Sequence, residues 1–194
     1  MRWDNAVIFA GGRSSRMGKD KALLPFGGYG SLAEYQYRRL EGLFGRVMLS
    51  AKEEKFAFDA PVIVDRYPGS SPVIALASVL EEIGQGWVFV LSVDMPRVDA
   101  TLIGRLHDAR TQHPQARALV AASRNGSEPL CGLYHAEILP AVRAAIAHDQ
   151  HRMRALLRAV PSAEVYCDRD EIFANLNTPE EYRRLRSADA ATPA

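Results

Sequence analysis

The chain has 194 residues, with 24 Lys and Arg against 23 Asp and Glu, and the resulting net charge of +1 leaves no basic surplus that would mark nucleic acid as a partner. A hydrophobic share of 47% beside 24% charged residues is that of a globular protein, and the length suits one domain with a layered core. The first apolar run begins without a leader pattern, and no stretch reaches the roughly 18 apolar residues of a membrane span, so a cytoplasmic protein without a membrane partner is expected.

Ala6 to Ala10 is a short apolar run of the kind that forms a buried parallel strand. A glycine-rich loop follows, and a helix then spans about Ser31 to Leu43, with Ser31 as its cap and Glu34 three residues on as in a capping box. Val47 to Ser50 and Val62 to Asp65 are the next strands, and a helix from about Pro72 to Ile83 leads to the strongest strand, Trp87 to Val93. Asp99 caps a helix reaching His113, whose apolar face holds Leu102, Ile103 and Leu106. Ala118 to Ala122 and Leu130 to Tyr134 flank a polar turn, Ser123 to Ser127, and form a strand pair set beside the parallel sheet. Helices at about Pro140 to His148 and His151 to Ala159, a strand at Glu164 to Cys167 and a last helix at Pro179 to Arg186 complete the series. The alternation predicts an α/β fold: a three-layer, doubly wound, mostly parallel, Rossmann-like sheet with an antiparallel component. No repeat or linker divides it, so residues 1–186 read as one domain and the Ala/Ser/Pro-rich residues 187–194 as a frayed tail. Cys131 and Cys167 are far apart and in no metal-ligating spacing, which makes a disulfide framework implausible and reads both as core residues.

The loop after the first strand carries the densest chemistry. From Phe9 to Lys21 it sets glycines and hydroxyls beside Arg13, Arg16, Lys19 and Lys21, the composition of a triphosphate cradle in which backbone N–H groups approach phosphate with no Cβ in the way. It is not a Walker A loop, because five residues separate Gly12 from Gly18-Lys19 and Asp20 follows. Nor does Gly11-Gly12-Arg13 satisfy the dinucleotide fingerprint.

Ligands of open α/β sheets collect at the carboxyl ends of the strands. Polar residues stand at each of those ends here: the glycine loop, Ser50-Ala51-Lys52, Asp65-Arg66 and Ser92-Val93-Asp94-Met95-Pro96. Asp94, where an apolar strand stops, is the metal candidate, since magnesium takes oxygen ligands and is commonly held by one or two carboxylates plus substrate phosphates. Near the end, Thr178-Pro179-Glu180-Glu181 reads as a helix start. Asn175 and Asn177 precede it at alternate positions of an extended segment, so both amides face one side, toward metal or acceptor.

The pattern A-G-G-x-S-x-R-M-G-x-D-K over Ala10 to Lys21 resembles the signature of nucleotidyltransferases that activate sugars, isoprenoid precursors and pterin cofactors, and most closely the molybdenum cofactor guanylyltransferases. The D-x-P turn Asp94-Met95-Pro96 and the N-x-N-T-P-E segment from Asn175 match the same group. The resemblance implies transfer of GMP from GTP to a molybdenum-bearing pterin phosphate, with Mg²⁺ as cofactor, release of pyrophosphate, and transient contacts with cofactor-biosynthesis or acceptor proteins. It places Ala10, Gly11, Gly12, Arg13, Ser14, Ser50 and Asp65 on the nucleotide, Arg16 and Lys21 on phosphate as catalytic cations, and Asp94 on magnesium. Asn175 and Asn177 fall to the acceptor. So does Arg152, which opens a short segment where Arg154 and Arg158, four apart, share a helix face. Two departures concern the base and ribose: Ser50 stands where many of the group have Asn, and Ser71-Pro72-Val73-Ile74-Ala75 replaces a G-P-L-A-G segment.

A cytidylyltransferase acting on the same pterin would share the loop and Asp94, a sugar-phosphate enzyme would need a longer chain, and a non-catalytic nucleotide-binding module would bind without turnover. The five histidines show no metal spacing and read mostly as surface residues, and nothing in the chain supports a Ser, His and Asp triad.

Overall fold

A computed structural model describes residues 2–11, 20–176 and 180–182. The elements in chain order are β1 (Trp3–Phe9), α1 (Leu32–Glu41), β2 (Phe44–Ala51), β3 (Val62–Val64), α2 (Pro72–Ile83), β4 (Trp87–Ser92), α3 (Ala100–Gln112), β5 (Ala118–Ser123), β6 (Gly126–His135), α4 (Leu139–Ala147), α5 (Met153–Ala159) and β7 (Ser162–Tyr166). Short 3₁₀ turns lie at Lys21–Leu23, Ala136–Ile138 and Asp170–Phe173. Residues 180–182 are helical, and the remainder of the expected final helix lies outside the described residues.

Local chemistry explains the helix starts. Ser31 Oγ accepts the Glu34 N–H at 3.1 Å, and Glu34 reaches back to the N–H of Gly30 at 3.2 Å, one residue before the position a capping box predicts. At α2, Ser71 is the cap, Pro72 is the first helical residue, and Gly84 closes the helix at a φ of 72°.

All seven strands join one sheet in the order β3-β2-β1-β4-β6-β5-β7. Successive residues of β1 alternate between its faces: Ala6 and Ile8 pack with α1 and α3, Val7 and Phe9 with α2, α4 and α5. That alternation makes the three layers and the doubly wound arrangement. Because the chain builds outward from β1 through β2 to β3 and then returns to place β4 on the other side of β1, the switch point falls between β1 and β4.

Three expectations are corrected. The strand pair expected beside the parallel sheet is part of it: β6 runs antiparallel between β4 and β5, and β5 and β7 run parallel to each other. A tight hairpin supplies β6 without a crossover, and the strands approach so closely that a Cβ at Gly132 would stand 2.6 Å from the Leu119 carbonyl. His107 is a core residue, stacked on Trp3 with ring centroids 4.7 Å apart, because it lies four residues after Ile103 within the buried stripe of α3. Helix α5 begins at Met153, with Arg152 extended before it and His151 outside the helix. Cys131 and Cys167 are free and buried, as expected of core residues. Among the described residues no helix is long and apolar enough to cross a membrane.

Candidate active site

The carboxyl ends of β1, β2 and β4 stay paired to their last residues. Ala10 N–H donates to the Ser50 carbonyl at 2.9 Å, Val93 N–H to that of Phe9 at 3.1 Å, and Asp65 N–H to that of Ala51 at 3.1 Å. A cavity of 260 Å³ opens on this rim, walled by Gly11, Ser50, Lys52, Asp65, Ser71 and Ser92, among others. Larger grooves of 510 and 520 Å³ lie by the start of β2 and the start of β7 and contain none of these residues, and one of 390 Å³ along β2 and β3 shares only Asp65 with this wall.

Two atoms of residues in this wall have no hydrogen-bond partner among the described residues. Ser50 Oγ and Asp65 Oδ1 are buried and unsatisfied, a state that costs free energy unless a ligand completes it. Burial pushes the Asp65 carboxyl above its ordinary pKa, and nearby Lys52 opposes the shift. An acceptor left open at this wall suits a ligand edge rich in N–H donors. At Gly11 a Cβ would meet Ala51 Cα at 3.6 Å, an ordinary contact, so the protein's own packing does not demand glycine there.

Asp94 occupies the turn after β4. Its Oδ1 accepts from Ser92 Oγ at 2.6 Å, its Oδ2 lies 3.7 Å from Lys21 Nζ, and its carbonyl accepts the Leu176 N–H at 3.0 Å. The last contact brings Asn175 beside the turn, with a buried Oδ1 that has no partner among the described residues. Carboxylate and amide oxygens are hard donors, so this pair fits the magnesium that the sequence resemblance implies. Among the described residues no three His, Cys, Asp or Glu side chains gather to hold a metal, but a cation shared with phosphates requires only one or two carboxylates.

Of the residues expected in the site, the structure therefore gathers Ala10, Gly11, Lys21, Ser50, Asp65, Asp94 and Asn175 on one rim. Arg152 is exposed at the start of α5, outside the residues that wall the cavity. Gly12, Arg13, Ser14, Arg16 and Asn177 lie outside the described residues.

Sequence reasoning missed three supports. Gln36 is fully buried on α1, and its Nε2 donates to the carbonyls of Met95 at 3.0 Å and Val93 at 3.4 Å, bracing both sides of Asp94. The Arg39 guanidinium, one turn on, donates to the carbonyls of Pro96 and Val98. Lys55 Nζ reaches the Ala10 carbonyl at 2.9 Å and Asp20 Oδ2 at 2.5 Å, while Asp20 Oδ1 accepts the Ala22 N–H at 3.0 Å. The available signal for Gln36 was its place in the stripe Leu32, Ala33, Gln36, Tyr37, Leu40, all buried.

The family model of the MobA-like NTP transferase domain matches residues 6–165. The chain is 31% identical over 185 residues to a molybdenum cofactor guanylyltransferase of Campylobacter jejuni, covering 94% of this chain and 95% of that one. A Helicobacter pylori protein described in the same words is 31% identical over 182 residues, covering 91% and 85%. Among solved structures, molybdopterin-guanine dinucleotide biosynthesis protein A of Archaeoglobus fulgidus superposes with a TM-score of 0.83 at 20% identity, over 97% of this chain and all of that one.

Proposed function

The chain belongs to the MobA-like NTP transferases, in the family of the molybdenum cofactor guanylyltransferases, and from that premise we propose that it transfers GMP from GTP to the terminal phosphate of molybdenum-bearing molybdopterin. An oxygen of that phosphate forms a bond to the α-phosphorus of GTP. The bond from the α-phosphorus to its bridging oxygen breaks, and pyrophosphate leaves with the electron pair. Both reactants are anions, so the protein's work is to offset their repulsion and align them.

The observation that carries the base assignment is the buried Asp65 oxygen without a partner among the described residues, on a residue that walls the 260 Å³ cavity. Guanine presents N1–H and a 2-amino group side by side, so one carboxylate accepts from both. Cytosine presents only its 4-amino group, flanked by an acceptor. Lys21 contributes positive charge beside Asp94, and the Gly11 backbone receives phosphate, while Ala10, whose N–H is paired to Ser50, holds the strand end on which Gly11 sits. Asp94, with Asn175 beside it, would hold Mg²⁺, which when bound neutralises phosphate charge and polarises the reacting phosphorus centre. Ser92 orients Asp94 by donating to Oδ1. Residues 1–186 act as one catalytic domain in the cytoplasm, taking the acceptor through transient contacts with cofactor-biosynthesis proteins.

The test supplies GTP and CTP at equal concentration, both α-labelled, with Mg²⁺ and metal-loaded molybdopterin, and measures which nucleotide is transferred and whether pyrophosphate appears. Guanylyl transfer is expected, and it disappears in Asp94→Ala while that variant's thermal unfolding stays cooperative. Cytidylyl transfer would overturn the base assignment, and no transfer to intact acceptor would overturn the reaction.

A further inference from the structure

Ser71 caps α2 and walls the cavity, and its hydroxyl also crosses to a segment 80 residues further along, where His151 Nδ1 lies 3.1 Å from Oγ. The other ring nitrogen, Nε2, lies 2.8 Å from Asp149 Oδ1. An ionised carboxylate only accepts, so Nε2 carries the proton. In the neutral ring Nδ1 is then the acceptor, and the Ser71 hydroxyl donates to it while Oγ accepts the Ile74 N–H at 3.2 Å. Every donor in this line has an acceptor.

Asp149 has a φ of 55°, the left-handed position that ends α4, where its N–H returns to the Ile146 carbonyl and the next N–H to that of Ala145, so the turn that carries it is fixed by the helix end. The line is no nucleophilic triad, since the Asp149 side chain is 96% exposed and Ser71 Oγ is already held at the N-terminus of α2. What it does is join two separate parts of the chain. The turn before α5 grips the capping side chain of α2, beside Pro72 and Ala75 on the cavity wall.

We propose that His151 is a positioning residue for nucleotide binding: by holding Ser71 Oγ it fixes the Ser70–Pro72 wall of the cavity, and Asp149 sets the ring tautomer that lets it do so. The inference rests on assigning that cavity to the nucleotide. It also gives Ser71 a use that a glycine at this position would lack, since glycine has no side chain to hold.

The experiment compares the full chain with His151→Ala, His151→Asn, Ser71→Ala and the Ser71→Ala/His151→Ala pair. GTP binding is measured by calorimetry without acceptor, and GMP transfer by steady-state kinetics with Mg²⁺ and metal-loaded molybdopterin. In His151→Ala the Kd and KM for GTP rise about five-fold with kcat within about two-fold, the pattern of a lost hydrogen bond that supports binding alone. His151→Asn, which keeps a polar atom near the place of Nδ1, restores both to within about two-fold. Adding His151→Ala to Ser71→Ala changes nothing further, because the histidine acts through that serine.

Unchanged GTP binding in His151→Ala overturns the proposal, as does a full additive effect on top of Ser71→Ala. Should His151→Ala fail to fold, Asp149→Ala decides, since its exposed side chain lies outside the core and alanine offers Nε2 no acceptor: an unchanged Kd there overturns the proposal. A wild-type chain that binds GTP yet transfers no nucleotide overturns the proposed reaction while the binding comparison still decides this inference. A wild-type chain that binds no GTP overturns both.

Discussion

Lys55 Nζ and Asp20 Oδ2 stand 2.5 Å apart, and because the same ammonium holds the Ala10 carbonyl, one side chain joins the residue before the glycine loop to the residue after it. Lys21, next to Asp20, lies 3.7 Å from Asp94. The placing of Lys21 beside Asp94 thus depends on a cation supplied by the segment after β2.

Replacement of Lys55 by Met removes that tie and leaves the Asp20 carboxylate partly buried with no counter-charge. Side-chain exposures of 16% and 29% put this pair between a surface and a buried ion pair. The expected outcome is a fall in kcat/KM for GTP of about ten-fold or more, with a change in stability of about 1–2 kcal/mol, read by steady-state kinetics and urea unfolding.

The Asp94 turn is held from beneath by Gln36. In Gln36→Leu two buried carbonyls lose their donor, a loss of about 1–3 kcal/mol that lowers Tm by roughly 3–10 °C in a chain of this size. kcat falls as well, since the turn that carries Asp94 relaxes. An unchanged Tm would remove Gln36 from this role.

Substitution of Asp65 by Asn replaces one of the acceptor oxygens with a donor that faces guanine's own donors. The KM for GTP rises about 100-fold or more, as when a site built for a hydrogen-bonding edge is mispaired, while CTP is affected far less. Competition between the two labelled nucleotides reads the change directly.

His107 makes the fold sensitive to mild acid. Burial against Trp3 lowers its pKa from 6.5 to about 4. The folded chain therefore keeps the ring neutral while the unfolded chain takes up a proton near the ordinary value. The stabilisation is fully present above about pH 6.5 and is lost as pH falls toward 4, amounting to about 1–3 kcal/mol. Urea midpoints measured between pH 7 and 4.5 should decline more steeply for the wild type than for His107→Phe, which cannot take up the proton. Parallel declines would show that other groups carry the acid sensitivity.

Features written in neighbouring residues were legible in the sequence. The bounds of α2 follow from Ser71, Pro72 and Gly84, which act within a turn of where they stand. Asp94 was legible because an apolar run stops two residues before it and a proline follows two after. Lys55 was not, since its partners lie 45 and 35 residues away and its own neighbourhood is an unpatterned charged stretch. Gln36 looked like an ordinary helix residue because its Nε2 finds its acceptors in a turn almost sixty positions later. Strand β6 gave a hairpin signal, but whether a hairpin flanks a sheet or enters it is decided by the free edge of β4, which no local pattern records.

The register of the central strands has a consequence for specificity. Phe9 pairs with Ser50 on one side and with Ser92 on the other, and all three wall the cavity. Strands sit about 4.8 Å apart, so the floor from Ser50 to Ser92 is about 10 Å across, close to the long dimension of one planar heterocycle. Main-chain hydrogen bonding sets that width. A lineage that trades one base for another therefore has little scope to do so by enlarging the slot, and the exchange has to occur through the donors and acceptors on its rim.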